Sequence, residues 1–404
     1  MIDHPPFLPF SKPVVAATRL RLHYLDGMRG LAAVAVVLGH AQLQSGWHGG
    51  SSAWSHVQIL LIRAVTNGRA AVAVFIVLSG YCLMIPVARS VEGVLRGGVL
   101  SYFKRRARRI LPPYYCALAL ILLTTSLTPA SGLDSVAQWR DAYPLFTPSA
   151  IISHLFLIHN WKPGWIFKID PPAWTVATEW QIYFFFPALL HSWRKFGSGW
   201  TVFIAFCIGL IPYFVSHHGE GASPWFLGLF TLGMAAASIN FSERYKTLQS
   251  RLPWGWFISC IAAVALLLDN LYIVPPFNRS VHDALDNSPH CFWLINSMVG
   301  LATACLLVFC TRSVGERPQS ARPFILWLLE RPAFVFVGSF SYSIYLIHDP
   351  ILAYLCVHSQ SQGLSHAQTF AAVALLGLPA SVVMAYLFHL AFEKRFMSKS
   401  KGVA

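Results

Sequence analysis

Charged residues are scarce in this 404-residue sequence: Asp, Glu, Lys and Arg make up 11% of it, and only 16 residues are acidic. A soluble globular domain carries about 25% charged residues. Hydrophobic residues account for 55% of the chain, so polar groups are too few to cover its surface. We therefore expect most of that surface to face lipid.

Features that mark secreted or metal-binding proteins are also missing. None of the eight cysteines belongs to a Cys-x-x-Cys pair, so we expect small core residues, with no disulfide framework and no metal site. The Pro-rich N-terminus contains no apolar stretch typical of a cleaved signal peptide. We expect one membrane domain, 25–393, flanked by cytoplasmic segments 1–24 and 394–404.

Apolar stretches long enough to cross a bilayer recur along the whole chain. The predicted fold is therefore all-α, a polytopic membrane protein with about ten transmembrane helices. The predicted spans are 28–44, 70–88, 111–128, 172–191, 199–215, 223–239, 254–274, 290–311, 333–356 and 368–392. A shorter apolar stretch, 150–161, is expected to be interfacial or re-entrant on the outer side.

Basic residues are distributed unevenly between these spans. Most of the 30 lysines and arginines lie in the N-terminal segment and in every second connection after it. Since basic residues concentrate on the cytoplasmic side, both termini are predicted to be cytoplasmic. Orientation and anionic lipid headgroups then account for the net charge of +14, and no nucleic-acid partner is expected. The multi-pass topology suits a bacterial inner membrane or a eukaryotic endomembrane or plasma membrane.

One apolar stretch begins with Arg29 and contains His40. His40 is eleven positions after Arg29, which in a helix corresponds to roughly 16 Å and places His40 near the middle of a bilayer. An ionisable side chain at that depth indicates a functional site by default. The alternative is a core histidine that is hydrogen-bonded to a neighbouring helix.

The densest basic cluster, 104–109, precedes the third predicted span. Arg105 and Arg108, like Arg106 and Arg109, are three residues apart and so share a helix face. Paired guanidinium groups suit the phosphates of a cytosolic cosubstrate. The alternative is a cluster that orients the chain and contacts lipid headgroups.

Glu179 lies inside the fourth predicted span, about 8–10 Å below the outer interface. A carboxylate at that depth cannot face lipid, and Trp174 and Gln181 supply polar edges nearby. It is therefore either part of a functional site or a buried structural hydrogen-bond partner.

Polar residues also interrupt the ninth predicted span, where Ser341, Tyr345 and His348 share a helix face, and Pro350 is expected to kink the helix. This stripe either serves a site or joins helices through hydrogen bonds. In the second span, Ser79 and Gly80 are interpreted as a small-residue packing contact rather than as catalytic residues.

Five segments together resemble the acyltransferase 3 family of integral membrane acyltransferases. They are Leu25-Asp-Gly-Met-Arg29 with His40, Phe75 to Tyr81, Arg106-x-x-Arg109-Ile-Leu-Pro-Pro-Tyr, Trp174-Thr-Val-Ala-Thr-Glu179-x-Gln181-x-Tyr183, and Ser341-Tyr-Ser-Ile-Tyr345-Leu-Ile-His348. Their order and spacing cover most of the chain. Members of the family move acyl groups, usually acetyl, from acyl-CoA to hydroxyl groups of sugars, polysaccharides and other natural products.

The resemblance implies a role for each candidate residue. His40 is expected to be the general base, or alternatively an acyl carrier, and Glu179 to orient the acceptor or polarise the histidine. Arg29, Arg106 and Arg109, together with Arg105 of the basic cluster, are expected to hold the phosphates of acyl-CoA, which is a cosubstrate rather than a tightly bound cofactor. The expected acceptor contacts are Trp174, Gln181, Tyr183, Tyr345 and His348.

Two departures from the family pattern affect these expectations. Trp180 replaces a second glutamate, and Gly39 stands where the family often has an aromatic residue, which predicts a wider cavity beside His40. No esterase-like extracellular domain is expected after the tenth span, so the chain resembles the stand-alone members.

Two other functions fit parts of this pattern. A proton-coupled secondary transporter also places histidine and glutamate within the membrane. A lipid or sterol acyltransferase of another membrane family has histidine in an apolar helix as well.

Overall fold

The computed structural model describes residues 22–47, 62, 65–90, 92–127, 147–216, 223–273 and 290–397. In this part of the chain the regular elements are helices and no strand occurs, which confirms the all-α prediction. Most of the predicted N-terminal segment and the C-terminal tail, and the first half of the outer loop 129–171, lie outside the described residues.

The longer helices coincide with the apolar stretches of the sequence. In chain order the α-helices are α1 His23–Ser45, α2 Gly68–Ala88, α3 Gly98–Leu127, α4 Pro148–Leu155, α5 Pro163–Ile166, α6 Trp174–Phe196, α7 Ser198–Ser216, α8 Phe226–Phe241, α9 Lys246–Arg251, α10 Trp254–Ile273, α11 His290–Glu316, α12 Phe324–Leu329, α13 Pro332–Ser339, α14 Ser341–Ser361 and α15 His366–Phe396. Each predicted span falls on one of them or on the bent pair α13–α14.

Four of these helices, α2, α3, α11 and α15, are long and apolar enough to cross a membrane. The number rises to six if the bent pairs α9–α10 and α13–α14 each form one span. α1 and α6 are long enough but contain the polar residues of the candidate site, which lower their hydropathy. Ten spans and the cytoplasmic position of both termini stay predictions.

Glycines allow α2 and α8 to pack closely. A Cβ atom on Gly80 would lie 2.0 Å from the carbonyl oxygen of Phe230, and one on Gly233 would lie 2.0 Å from that of Val77. No side chain fits at such distances, so the two backbones are in direct contact. The prediction that Gly80 is a packing residue is confirmed.

α1 packs in the same way against α13. A Cβ on Gly338 would lie 1.7 Å from the carbonyl oxygen of Asp26, and one on Gly30 would lie 2.1 Å from that of Phe334. Directly after this contact the chain bends by 81° between α13 and α14. The sharp bend is therefore at Phe340, at the junction of the two helices. Pro350 lies inside α14, where the predicted kink stays a prediction.

Candidate active site

α1 and α14 bring two distant polar positions together. His40 Nδ1 lies 2.7 Å from Asp349 Oδ1 and 3.2 Å from His348 Nε2. The two imidazole rings are 4.9 Å apart between centroids. His348 and Asp349 are therefore direct neighbours of His40. We call His40, His348 and Asp349 the histidine cluster.

The histidine cluster is buried on one side and open on the other. The side chain of Asp349 is 1% exposed, whereas that of His40 is 19% exposed. Gln44, one turn after His40, donates to Asp349 Oδ1 at 2.8 Å, so the carboxylate has a second partner. Since Nδ1 of His40 faces Asp349 and His348, Nε2 is the ring nitrogen that remains for a further partner.

The same three side chains could hold a divalent metal ion, because one ligand atom from each lies within 4.8 Å of the others. A tetrahedral zinc site, with bonds of about 2.0–2.1 Å, separates its ligand atoms by roughly 3.3 Å. The 3.2 Å between the histidine nitrogens matches that value, but the 2.7 Å between His40 and Asp349 is shorter. This short separation fits a shared proton better than a shared metal.

Glu179 of α6 belongs to a second cluster. Its Oε1 accepts a hydrogen bond of 2.8 Å from Ser79 of α2 and another from Tyr183, one turn further along α6. The two hydroxyl oxygens are 2.7 Å apart. Ser79, which the sequence indicated only as a packing residue, therefore orients the carboxylate.

The predicted phosphate-binding arginines separate into three positions. Arg29 and Arg109 line one cleft, together with Asp26, Tyr342 and Glu393. Within this cleft, Arg29 donates to Asp26 at 2.7 Å.

The other two arginines point elsewhere. The guanidinium of Arg106 lies 6.0 Å from the ring centre of Tyr183, and its buried Nε forms no hydrogen bond with the described part of the chain. Arg105 donates to the carbonyl of Arg96 at the exposed surface and does not line the cleft. Of the four predicted phosphate-binding arginines, Arg29 and Arg109 line the cleft together.

Two of the predicted acceptor-binding side chains use their polar groups within the protein. Gln181 donates to Asn160 Oδ1 and to the carbonyl of Leu157, both at 2.8 Å. Tyr345 donates to the carbonyl of Pro172 at 2.7 Å and accepts from Thr175. These bonds fasten the outer segment, residues 147–173, to α6 and α14.

Trp174 is half-buried, and its ring lies 6.3 Å from that of Phe226. Tyr345 of α14 is half-buried as well.

Buried ionisable groups of the outer segment lie next to this site. The rings of His154 and His159 stack at 3.9 Å, and burial lowers the pKa of His154 to about 4. The pKa of the Asp170 carboxyl is raised well above its usual value, first by burial and then by the charge of Asp349. Asp170 therefore lies within electrostatic range of the histidine cluster.

The cavity beside His40 is not widened at Gly39. A Cβ atom there would lie 2.4 Å from the carbonyl oxygen of Thr66 and 3.0 Å from the nitrogen of Gly68. Gly39 is thus a close backbone contact, and the predicted widening is wrong. Besides Ser79, the site residues that the sequence interpretation missed are Asp349 and Gln44. Their signals were an acid directly after His348 and an amide one turn after His40.

Comparisons with known proteins identify the family. A family profile described as an acyltransferase domain matches residues 22–390. The O-acetyltransferase OatA of Staphylococcus aureus strain NCTC 8325 / PS 47 is 24% identical over 359 residues, which cover 82% of this chain and 50% of OatA. OatA of strain COL gives the same values. The chain thus spans about half the length of these relatives, and no solved structure matches.

Proposed function

Because the chain belongs to the acyltransferase 3 family, we propose that it is a membrane-embedded O-acyltransferase. It moves an acyl group, in the first instance acetyl, from acyl-CoA to a hydroxyl group of a sugar, glycan or natural product. The observation that carries this proposal is the histidine cluster, in which a buried carboxylate supports an imidazole whose other edge is open. The relatives named above are O-acetyltransferases.

His40 acts as the general base in this proposal. A thioester is already activated, so the reaction mainly needs a base that can accept a proton near neutral pH, and imidazole meets that need. His40 takes the proton of the acceptor hydroxyl while the oxygen bonds to the thioester carbonyl carbon. The carbon–sulfur bond then breaks, and the coenzyme A thiolate receives the proton from His40.

The arginine cleft is the proposed entrance for the donor. Arg29 and Arg109 line it, and planar guanidinium groups can contact phosphate oxygens through two hydrogen bonds at once. Arg29 lies in α1, eleven residues before His40, which is roughly 16 Å in a helix. A long donor bound at the cleft can therefore extend along α1 towards the base.

The acceptor is proposed to approach from the other side, past the outer segment. Trp174 and Tyr345 are half-buried aromatic residues there, and aromatic faces suit sugar rings as well as other apolar surfaces. Glu179 is proposed to orient the acceptor, because both hydroxyl contacts fall on Oε1 and leave Oε2 free for a ligand.

The test is release of coenzyme A from acetyl-CoA by the purified protein in nanodiscs, with a panel of sugars and natural-product alcohols. We expect acceptor-dependent release that falls by about 10²–10⁴-fold in His40→Ala. His358→Ala, at an exposed position near the end of the same α14 helix that carries His348, is the matched control and should keep full activity.

Two results would contradict the proposal. Undiminished release by folded His40→Ala would remove His40 from the reaction. Absence of both release and measurable acetyl-CoA binding would favour proton-coupled transport instead, which proton uptake by proteoliposomes would then reveal.

A further inference from the structure

The hydrogen-bonding groups around His348 determine where its proton sits. Nδ1 of His348 lies 3.0 Å from the carbonyl oxygens of Ile344 and Tyr345. A carbonyl oxygen only accepts hydrogen bonds, so Nδ1 of His348 must carry the hydrogen. His348 is completely buried, and an isolated buried cation is costly. In the neutral ring, Nε2 is therefore a lone-pair acceptor.

That acceptor and a carboxylate both face one nitrogen of His40. Nδ1 of His40 is 2.7 Å from Asp349 Oδ1 and 3.2 Å from His348 Nε2. If Nδ1 carried a lone pair, three acceptors would meet with no proton between them. The hydrogen of neutral His40 must therefore be on Nδ1, and its lone pair on Nε2.

We infer that Asp349 and His348 lock His40 in the Nδ1–H tautomer, so that Nε2 is the basic atom and Asp349 is a positioning residue for the base. This inference rests on the proposed function only for its catalytic consequence, since the tautomer itself is a property of the resting protein. Asp349 fixes the ring and stabilises the imidazolium that forms when Nε2 takes the acceptor's proton.

Gln44 makes the arrangement specific. Its amide nitrogen donates to Asp349 Oδ1 at 2.8 Å and to the Asp349 carbonyl at 3.3 Å. Both of these Asp349 oxygens only accept hydrogen bonds, so Gln44 must point its amide nitrogen, and not its amide oxygen, towards Asp349. With Gln44 and His40 as its donors, the carboxylate oxygen is held between α1 and α14.

Asp349→Asn is the decisive substitution, because it keeps the size of the side chain and removes its negative charge. Gln44 can still donate to the amide oxygen at the same position, so the variant removes the stabilisation of the imidazolium without rearranging the hydrogen bonds. We expect kcat to fall on the order of 10³-fold, while KM for acetyl-CoA stays within about threefold of wild type. Asp349→Glu restores the carboxylate and should recover at least tenfold of the lost kcat.

A spectroscopic measurement tests the tautomer without any substrate. Solid-state NMR of ¹⁵N-histidine-labelled protein in lipid distinguishes ring nitrogens that carry hydrogen from those that do not, and His40→Gln identifies the His40 signals. We expect Nδ1 of His40 to carry hydrogen in the wild type, and its signal to shift in Asp349→Asn because a neutral amide oxygen accepts a weaker hydrogen bond than a carboxylate. The control is Glu330→Gln, which removes a partly buried carboxylate paired with Arg322 away from the site.

The inference and the proposed function fail in different ways. A wild-type His40 with hydrogen on Nε2, or an Asp349→Asn protein with unchanged kcat, would overturn the inference even if acyl transfer is confirmed. Loss of activity without rescue by Asp349→Glu, accompanied by an unchanged His40 spectrum, would also overturn it, because Asp349 would then be purely structural. Full activity of His40→Ala would instead overturn the proposed function and leave the tautomer standing.

Discussion

Ser79 donates a hydrogen bond of 2.8 Å to Glu179 Oε1, although the two residues are 100 positions apart in the chain. The bond joins α2 to α6 between the arginine cleft and the outer segment. Tyr183 donates to the same oxygen, so two hydroxyl groups hold one edge of the carboxylate. Their removal should affect both stability and acceptor use.

Ser79→Ala is predicted to lower the free energy of unfolding by about 1–2 kcal/mol, because a partly buried carboxylate loses one of its two donors. Acceptor-dependent kcat should fall by about tenfold, since Glu179 then has more than one orientation. Thermal unfolding in detergent and coenzyme A release measure the two effects. Ser90→Ala, which removes a local bond at the end of α2, is the control, and an equal loss there would contradict the prediction.

Gly80→Ala is predicted to be severely destabilising, by about 3 kcal/mol or more. The new Cβ would meet the Phe230 carbonyl oxygen at 2.0 Å, and a backbone atom cannot move aside as a side chain can. Gly315→Ala in α11, where no atom lies within 4 Å of the new Cβ, should instead be neutral or stabilising. Folded yield and melting temperature of the two variants compare the effects directly, and similar values would refute the close α2–α8 contact.

Arg109→Gln is predicted to raise KM for acetyl-CoA by about tenfold or more, because the arginine cleft loses one of its two cations. kcat at saturating donor should change little, since Arg109 does not touch the reacting atoms. Arg108→Gln removes an exposed cation of the same basic cluster and should change KM by less than twofold. If both variants weakened donor use equally, the effect would come from the general charge of the cluster rather than from the cleft.

Stability is predicted to decrease below pH 6.5 because of His154. Burial lowers its pKa to about 4, so the unfolded chain binds a proton more readily than the folded protein between these values. The contribution of neutral His154 to the free energy of unfolding is fully present above about pH 6.5 and is lost as the pH falls towards 4. At pH 5 the free energy of unfolding is lower by about 2 kcal/mol. Melting temperatures at pH 7.5 and pH 5 measure the effect.

His154→Phe keeps a ring against His159 but cannot titrate, so its melting temperature should depend less on pH. The exposed His358→Asn should keep the wild-type dependence. An unchanged dependence in His154→Phe would assign the acid sensitivity to another group.

The helices could be predicted from the sequence, and so could the presence of an imidazole and a carboxylate in the site, but not their partners. Apolar length and periodicity are local properties, so each predicted span falls on a helix. An imidazole at His40 or a carboxylate at Glu179 is conspicuous within an apolar stretch. What these residues contact depends on helix packing, and the link between His40 and Asp349 spans 309 positions, which no local pattern contains.

Close contacts between backbones could not be predicted from the sequence either. Gly39 suggested extra space beside His40, yet the carbonyl oxygen of Thr66 occupies the place that a side chain would take. The sharp bend between α13 and α14 follows the contact of Gly338 with α1, and no sequence pattern indicated it. In both cases a neighbouring part of the chain, rather than the residue itself, decides the local geometry.

The separation of His40 and Asp349 along the chain also orders the events of biosynthesis. α1 is synthesised early with its histidine, but the carboxylate that positions the ring arrives only with α14, 309 positions later. A nascent chain that lacks α14 therefore has Arg29 and His40 without a positioned base. Under the proposed function, acyl-CoA is protected from wasteful hydrolysis by such chains, because the base forms only after α14 has been added.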